Sequence, residues 1–336
     1  MKKFIITLLL MIGIPMTLTA QEYEQRLAMA CNEKTTISSG NRENAEQVFM
    51  FSYFTGNGED GLHLAYSYDG YNWKNLNKGA SLVKPKVGND KLMRDPCIIK
   101  GPEGTFHMVW TVSWSEKGIG YAHSKDLINW SEQKYIPVMK HESKAKNCWA
   151  PEIFYDQQTK RFMIVWATTI PGRFPETDNP ETGYNHRLYY TTTKNFDEFS
   201  ETQIFYNQGF NVIDGTIDKI GSKYYMFLKD ERNQPFTVQK NIRYAVSDSA
   251  LGSYSEPSKP ITGDYWAEGP TAIKVDTSWI VYFDKYTEDK MGAVKSSDLK
   301  NWQDISDKVH FPEGTQHGTV FRVSSEILNN LKELSK

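Results

Sequence analysis

Three short sequence elements each recur five times in this chain, in a fixed order. That recurrence limits the fold more than any single motif does. The first element is a small residue, a polar turn and an aromatic: AYSYDGYNW (65–73), AHSKDLINW (122–130), YTTTKNFDEF (190–199), AVSDSALGSY (245–254) and AVKSSDLKNW (293–302). Its copies end at Trp73, Trp130, Phe199, Tyr254 and Trp302, a spacing that suits one four-stranded sheet per copy. The second element is an apolar run: VFMFSYF (48–54), GTFHMVW (104–110), KRFMIVW (160–166), SKYYMFL (222–228) and TSWIVYF (277–283). These runs are short and rich in β-branched and aromatic residues, which predicts strands rather than helices.

The third element is a strand in front of that run: RDPCII (94–99), WAPEIF (149–154), IDGTID (213–218), AEGPTAI (267–273) and HGTVFRV (317–323). Four copies precede their partner, but the fifth lies near the C-terminus, and the first apolar run has no strand before it. If the last strand completes the first sheet, all five sheets are whole and the ring has no open edge. The expected fold is all-β: a five-bladed β-propeller over residues 47–323, closed by its C-terminal strand. The tail carries Ile327, Leu328, Leu331 and Leu334 at helical spacing, which predicts a helix within 324–336 on the outside of the ring.

In such a ring the third element lines the central channel, so its front residues share one cavity. They are Asp95, Trp149 with Glu152, Asp214, Glu268 and His317. Taken singly, an Asp before Pro or Gly mostly caps a turn. Carboxylates from several blades, read as falling at one repeat position, argue for chemistry, because a carboxylate at the mouth of a buried strand is costly unless paired or working.

With these motifs in their order, the chain resembles the family-43 glycoside hydrolases. These are five-bladed propellers acting mainly on α-L-arabinofuranosides and β-D-xylosides. The matching stretches are RDP (94–96), WAPE (149–152), IDGT (213–216), AEGP (267–270) and TQHGTV (315–320). The resemblance implies Asp95 as general base, Glu268 as general acid, and Asp214 as the carboxylate that orients the acid and raises its pKa. It implies Trp149 as an apolar wall for the sugar, and inversion at the anomeric carbon with acid and base about 6.5–9.5 Å apart. No cofactor is required. A structural calcium ion in the channel is an option the resemblance leaves open, with His317 near it through water. The chain departs from the pattern at IDGT, where Asp-Pro is frequent, at Gln316, where arginine is common, and at Glu152, where Asp is more usual.

Further candidates for contact with substrate are Glu152, Trp114, and Arg173 in the long insert at 168–187, whose Pro, Gly and polar content reads as a loop at the pocket rim. Phe174 and His186 lie in the same insert.

Composition bounds the remainder. Residues 1–20 read as a secretory signal: Lys2 and Lys3, an apolar stretch from Phe4 to Leu18, then Thr19-Ala20. Without them the charge is 37 basic (39 less Lys2 and Lys3) against 41 acidic residues, or −4, with no basic run, a poor basis for binding nucleic acid. No other apolar run is long enough to span a membrane. Residues 21–46 read as a polar lead-in. Three cysteines, at 31, 97 and 148, make no disulfide framework, although Cys97 and Cys148 both front apolar runs and could be neighbours. Together with the family resemblance, which implies the activity and the sugar, this gives the expectation of an exported, periplasmic or extracellular monomer that removes terminal pentofuranose, foremost α-L-arabinofuranose, from plant oligo- or polysaccharide. A β-xylosidase, a β-galactofuranosidase, a glycoside phosphorylase and a non-catalytic sugar-binding propeller are the alternatives.

Overall fold

The computed structural model describes residues 47–178, 182–232 and 240–334. The signal and lead-in read at 1–46, with Cys31, lie outside the described residues. The described chain forms five antiparallel sheets. The first joins β1 (Gln47–Tyr53), β2 (His63–Ser67) and β3 (Lys74–Asn75) to the last strand, β19 (Thr319–Ser324), in the order β19-β1-β2-β3. The second is β4 (Arg94–Lys100), β5 (Phe106–Thr111), β6 (Ile119–Ser124) and β7 (Lys134–Ile136). The third is β8 (Trp149–Asp156), β9 (Arg161–Thr169), β10 (His186–Thr193) and β11 (Gln203–Tyr206). The fourth is β12 (Val212–Ile220), β13 (Lys223–Asp230) and β14 (Asn241–Ser247), and the fifth is β15 (Glu268–Val275), β16 (Ser278–Lys285), β17 (Lys290–Ser296) and β18 (Gln303–Asp304). The innermost strands β4, β8, β12, β15 and β19 each neighbour the next, and β19 returns to β4. This is the five-bladed propeller read from the repeats, closed by pairing of β19 with β1.

Packing explains why strand residues are buried on both faces instead of alternating. The apolar core divides into five clusters, one at each junction between neighbouring blades. Val48, Met50 and Phe321 of the first blade meet Ile98, Met108 and Trp110 of the second. At the other side of the first blade, Phe51 and Val320 meet Ile280 and Tyr282 of the fifth. Every sheet is thus covered twice. Cys97 and Cys148 share the cluster between the second and third blades, and both are free thiols. The tail forms helix α1 (Ser325–Glu333), capped by Ser324 Oγ, which accepts from Ile327 N; Leu328 and Leu331 pack into the first cluster while Leu334 stays exposed.

One blade departs from the expected four strands. Beyond β14 the chain reads SEPSKP (255–260), and Pro257 and Pro260 cannot donate to a ladder. Side chains and scattered backbone bonds take the place of the missing strand: Ser255, Ser258 and Thr262 hydroxyls accept from the backbone N–H groups of Val246, Tyr244 and Ile242, and the N–H groups of Ser255, Ser258 and Ile261 donate to the carbonyls of those same three residues.

The small-polar-aromatic element is a side-chain-locked turn. In the second blade, Asp126 Oδ1 accepts from Ile128 N at 2.9 Å and Asn129 N at 2.7 Å, and Ser124 Oγ accepts from Leu127 N at 2.9 Å. Asp69, Asn195 and Asp298 make the same turn in three other blades. Asp126→Ala removes these acceptors, so the variant is expected to lose about 1–2 kcal/mol of stability, read as a lower urea midpoint with an unchanged slope. An unchanged midpoint would show that the turn holds without its lock.

Candidate active site

The site grows from one irregularity repeated around the ring. Four inner strands begin with a β-bulge, marked by register shifts at Arg94/Cys97, Trp149/Glu152, Ile213/Thr216 and Glu268/Thr271. The second residue of each bulge is left-handed: Asp95 (φ 52°), Ala150 (φ 46°), Asp214 (φ 53°) and Gly269 (φ 60°). Non-glycine residues held there are strained, and such strain gathers at functional sites. The repeats predict every acid at one position, and the register corrects that. Asp95 and Asp214 share the bulge position, Glu268 stands one residue before it, and Glu152 two residues after it.

These offsets give the carboxylates different surroundings. Asp95 Oδ2 accepts from Thr111 Oγ1 at 2.8 Å, and its Oδ1 lies 3.3 Å from His317 Nδ1. Burial opposes ionisation of Asp95, but His317, Arg94 and the Thr111 bond together hold its carboxyl below the usual aspartate range. His317 shows the reverse balance. Burial opposes its charge, while Asp95 first, then Asp214 and Glu152, push it up to about 10, so the ring is an imidazolium. Asp214 Oδ2 accepts from Gly269 N at 2.9 Å, and its carboxyl is pushed up to about 6, chiefly by burial. A Cβ on Gly269 would overlap the His317 ring, so only glycine lets the two inner strands approach this closely. Asp95, His317, Gly269, Asp214 and Glu268 are therefore one contiguous group from four blades.

Glu268 lines a cavity of about 540 Å³ together with Arg94, Trp114, Asp284, Tyr286 and the 313–316 segment. Asp95 follows Arg94 and Asp214 binds Gly269, so both adjoin the wall instead of forming it. Arg94 is sandwiched, its Cζ 4.4 Å from the Trp114 ring and 4.5 Å from that of Phe54. Trp114 meets Trp149 edge-on at 5.5 Å, and Trp149 Nε1 donates to the Trp114 carbonyl at 3.1 Å. The two tryptophans pack together beside Arg94, and of the two Trp114 lines the cavity while Trp149 stands behind it. The long insert supports that pair: Tyr184 and His186 back Trp149 at 4.8 and 5.0 Å, and buried Arg187 ties the insert down through Asn185, Thr177 and Asn207. Phe174 lies against Arg187.

Two sequence candidates fall elsewhere. Glu152 is buried within the channel wall and accepts from Thr216 Oγ1 at 3.1 Å; burial pushes its carboxyl up to about 7. Arg173 pairs with Glu142 in the preceding loop and does not line the cavity. For His317, the Nδ1 atom engages Asp95, and among the described residues no group of three His, Cys, Asp or Glu side chains is arranged to hold a metal ion.

Three neighbours of these carboxylates carry no mark in the repeats: Thr111, Lys229 and Asp284. They hold the same register place on the second strand of their blades, opposite Arg94, Ile213 and Glu268. Lys229 Nζ lies 2.8 Å from Glu268 Oε2 and 2.9 Å from Glu231 Oε2. Asp284 Oδ2 accepts from His317 N at 3.3 Å, and burial with nearby Glu268 pushes its carboxyl up to about 7.

The model of a family-43-related glycosyl hydrolase family, described as a "Probable glycosyl hydrolase domain", matches residues 44–328. An alpha-L-arabinofuranosidase of Bifidobacterium longum subsp. longum is 24% identical over 307 residues, covering 78% of this chain and 28% of the relative. The chain thus spans little more than a quarter of that relative's length. Among solved structures, an alpha-L-arabinofuranosidase from Lactobacillus brevis has a TM-score of 0.52 at 18% identity, covering 64% of this chain and 72% of its own. An alpha-L-arabinofuranosidase from Clostridium thermocellum ATCC 27405 has a TM-score of 0.53 at 14% identity, covering 77% and 89%. At such identities the structural likeness concerns the fold alone.

Proposed function

The chain belongs to the family-43-related glycosyl hydrolases, and from that premise we propose that it is an inverting α-L-arabinofuranosidase acting on terminal residues of plant polysaccharide or its fragments. The observation that carries the reading is the split between carboxylates in one contiguous group. Asp95 is held ionised by His317 and Thr111, while Glu268 faces the cavity from another blade. Cleavage of a glycosidic bond needs one carboxyl group to give a proton and another to take one. Glu268 gives its proton to the aglycone oxygen as the anomeric carbon–oxygen bond breaks with its electron pair. Water attacks the opposite face of the sugar and yields its proton to Asp95. Asp214 fixes the Gly269 backbone next to the acid, and Trp114, backed by Trp149, covers an apolar face of the ring. The leader-like residues 1–20 support export, and a monomer suffices because every group named comes from one chain. Among the described residues no helix is long and apolar enough to cross a membrane.

The test is product analysis. Aryl α-L-arabinofuranoside, aryl β-D-xyloside, arabinan and arabinoxylan are incubated with the protein, and early products are followed by proton NMR. The expected result is free arabinose, first seen as the β anomer, formed without a phosphate requirement. Release of the α anomer first would reject inversion. Xylose as the main product would reject the sugar. Tight glycan binding with no product would replace the enzyme by a binding module.

A further inference from the structure

We propose that Lys229 is the positioning residue for the proton donor: its ammonium group aims Glu268 into the cavity and stabilises the negative charge that grows there as the proton leaves. This rests on reading Glu268 as the general acid. Lys229 is 3% exposed on β13, and an unpaired ammonium at that depth would be costly. One carboxylate would neutralise it, yet two flank it, Glu268 at 2.8 Å and Glu231 at 2.9 Å. Glu231 is in turn held by Lys240 Nζ at 2.6 Å, and the Tyr286 ring lies 4.6 Å from Lys229 Nζ. Burial opposes the Lys229 charge, but Glu231 foremost, joined by Glu268 once it is ionised, outweighs it and keeps the ammonium protonated.

Glu231 holds Lys229 and does not line the cavity, whereas Glu268 does, so the contact with Glu268 is the one that meets the cavity. During cleavage the Glu268 O–H bond breaks, the proton goes to the aglycone oxygen, and the acid passes from neutral to anionic. A cation already fixed beside Glu268 Oε2 favours the product side of the transfer without reorganising at the moment of reaction. A purely structural ion pair would lack this link to the leaving group.

The experiment is a series of aryl α-L-arabinofuranosides, from dinitrophenyl to unsubstituted phenyl, run with Lys229→Met, Lys229→Arg, Glu231→Gln and Glu268→Gln, each with its melting temperature. For Lys229→Met, kcat on the phenyl glycoside is expected to fall on the order of 10²-fold, with a far smaller loss on the dinitrophenyl glycoside and KM little changed. Lys229→Arg should recover most of that loss. A loss equal for all leaving groups, or none, would overturn the proposal. If Lys229→Met does not fold, Glu231→Gln carries the test: it loosens the anchor and is expected to show the same bias at about 10-fold, and a flat profile there overturns it equally. Glu268→Gln separates the two readings. If it shows leaving-group bias while the Lys229 and Glu231 variants are flat, only the Lys229 role falls; if it shows none, the acid assignment falls and takes this proposal with it.

Discussion

Asp95→Asn is expected to lower kcat/KM on every arabinofuranoside by on the order of 10²–10⁴-fold, to nearly the same extent whatever the leaving group. As the proposed base the residue would activate water, and that need does not depend on how readily the aglycone departs. The carboxylate is suited to the task because His317 and Thr111 hold it ionised while burial resists that charge. Asparagine keeps the shape and the acceptor for Thr111 Oγ1 but has no site for the proton of the attacking water. His317 loses its charged partner, so the melting temperature of the variant is measured beside its rates. A folded variant within tenfold of wild type on both phenyl and dinitrophenyl glycosides would remove Asp95 from the chemistry. A second outcome is also decisive: a loss confined to the poor leaving groups would mean that Asp95 donates a proton and that the two carboxylate roles are exchanged.

The ring and its inner strands could be read because each blade spells them out with the same three elements, and because the count closes only if the last strand joins the first blade. The acids could be read because Asp95, Asp214 and Glu268 stand beside Pro or Gly at strand fronts. What the repeats concealed is the second ring of contacts. Lys229 and Asp284 are each the residue just after an apolar run, SKYYMFL (222–228) and TSWIVYF (277–283), and Thr111 follows GTFHMVW (104–110) in the same way. Reading the runs for their hydrophobicity ended them one residue too soon. Antiparallel pairing brings the C-terminal end of the second strand beside the N-terminal start of the inner one, so these three residues had to meet the acids. The signal was present: a polar residue closing an apolar run, at the same place in three blades. The bulges were harder to see, because one extra residue shifts side chains between faces and no residue type marks it uniquely. That is why Glu152, in a motif so like the others, turns into the wall while Glu268 turns to the cavity. The missing fourth strand of the fourth blade was visible in Pro257 and Pro260, two residues that cannot donate to a ladder.

Glu268→Gln is expected to act on a different axis from Asp95→Asn. On the phenyl glycoside, kcat/KM should fall on the order of 10³-fold, while on the dinitrophenyl glycoside the loss should be slight. A dinitrophenolate departs without a proton, so the acid is dispensable there and the remaining machinery, with Asp95 intact, still activates water. A phenolate or a sugar alkoxide is a poor leaving group and needs the proton that glutamine cannot give. The fold should survive, because the glutamine carbonyl can still accept from Lys229 Nζ, and Lys229 retains Glu231 as its counter-charge. The pair of variants thus assigns the two carboxylates by pattern and not by magnitude: a flat loss for the base, a leaving-group-dependent loss for the acid. Should Glu268→Gln lose all substrates equally with its melting temperature unchanged, Glu268 is not the donor. Asp284 would then be the next carboxyl group to test, since it lies opposite Glu268 in the register, lines the same cavity and is pushed up to about 7 by burial and by Glu268.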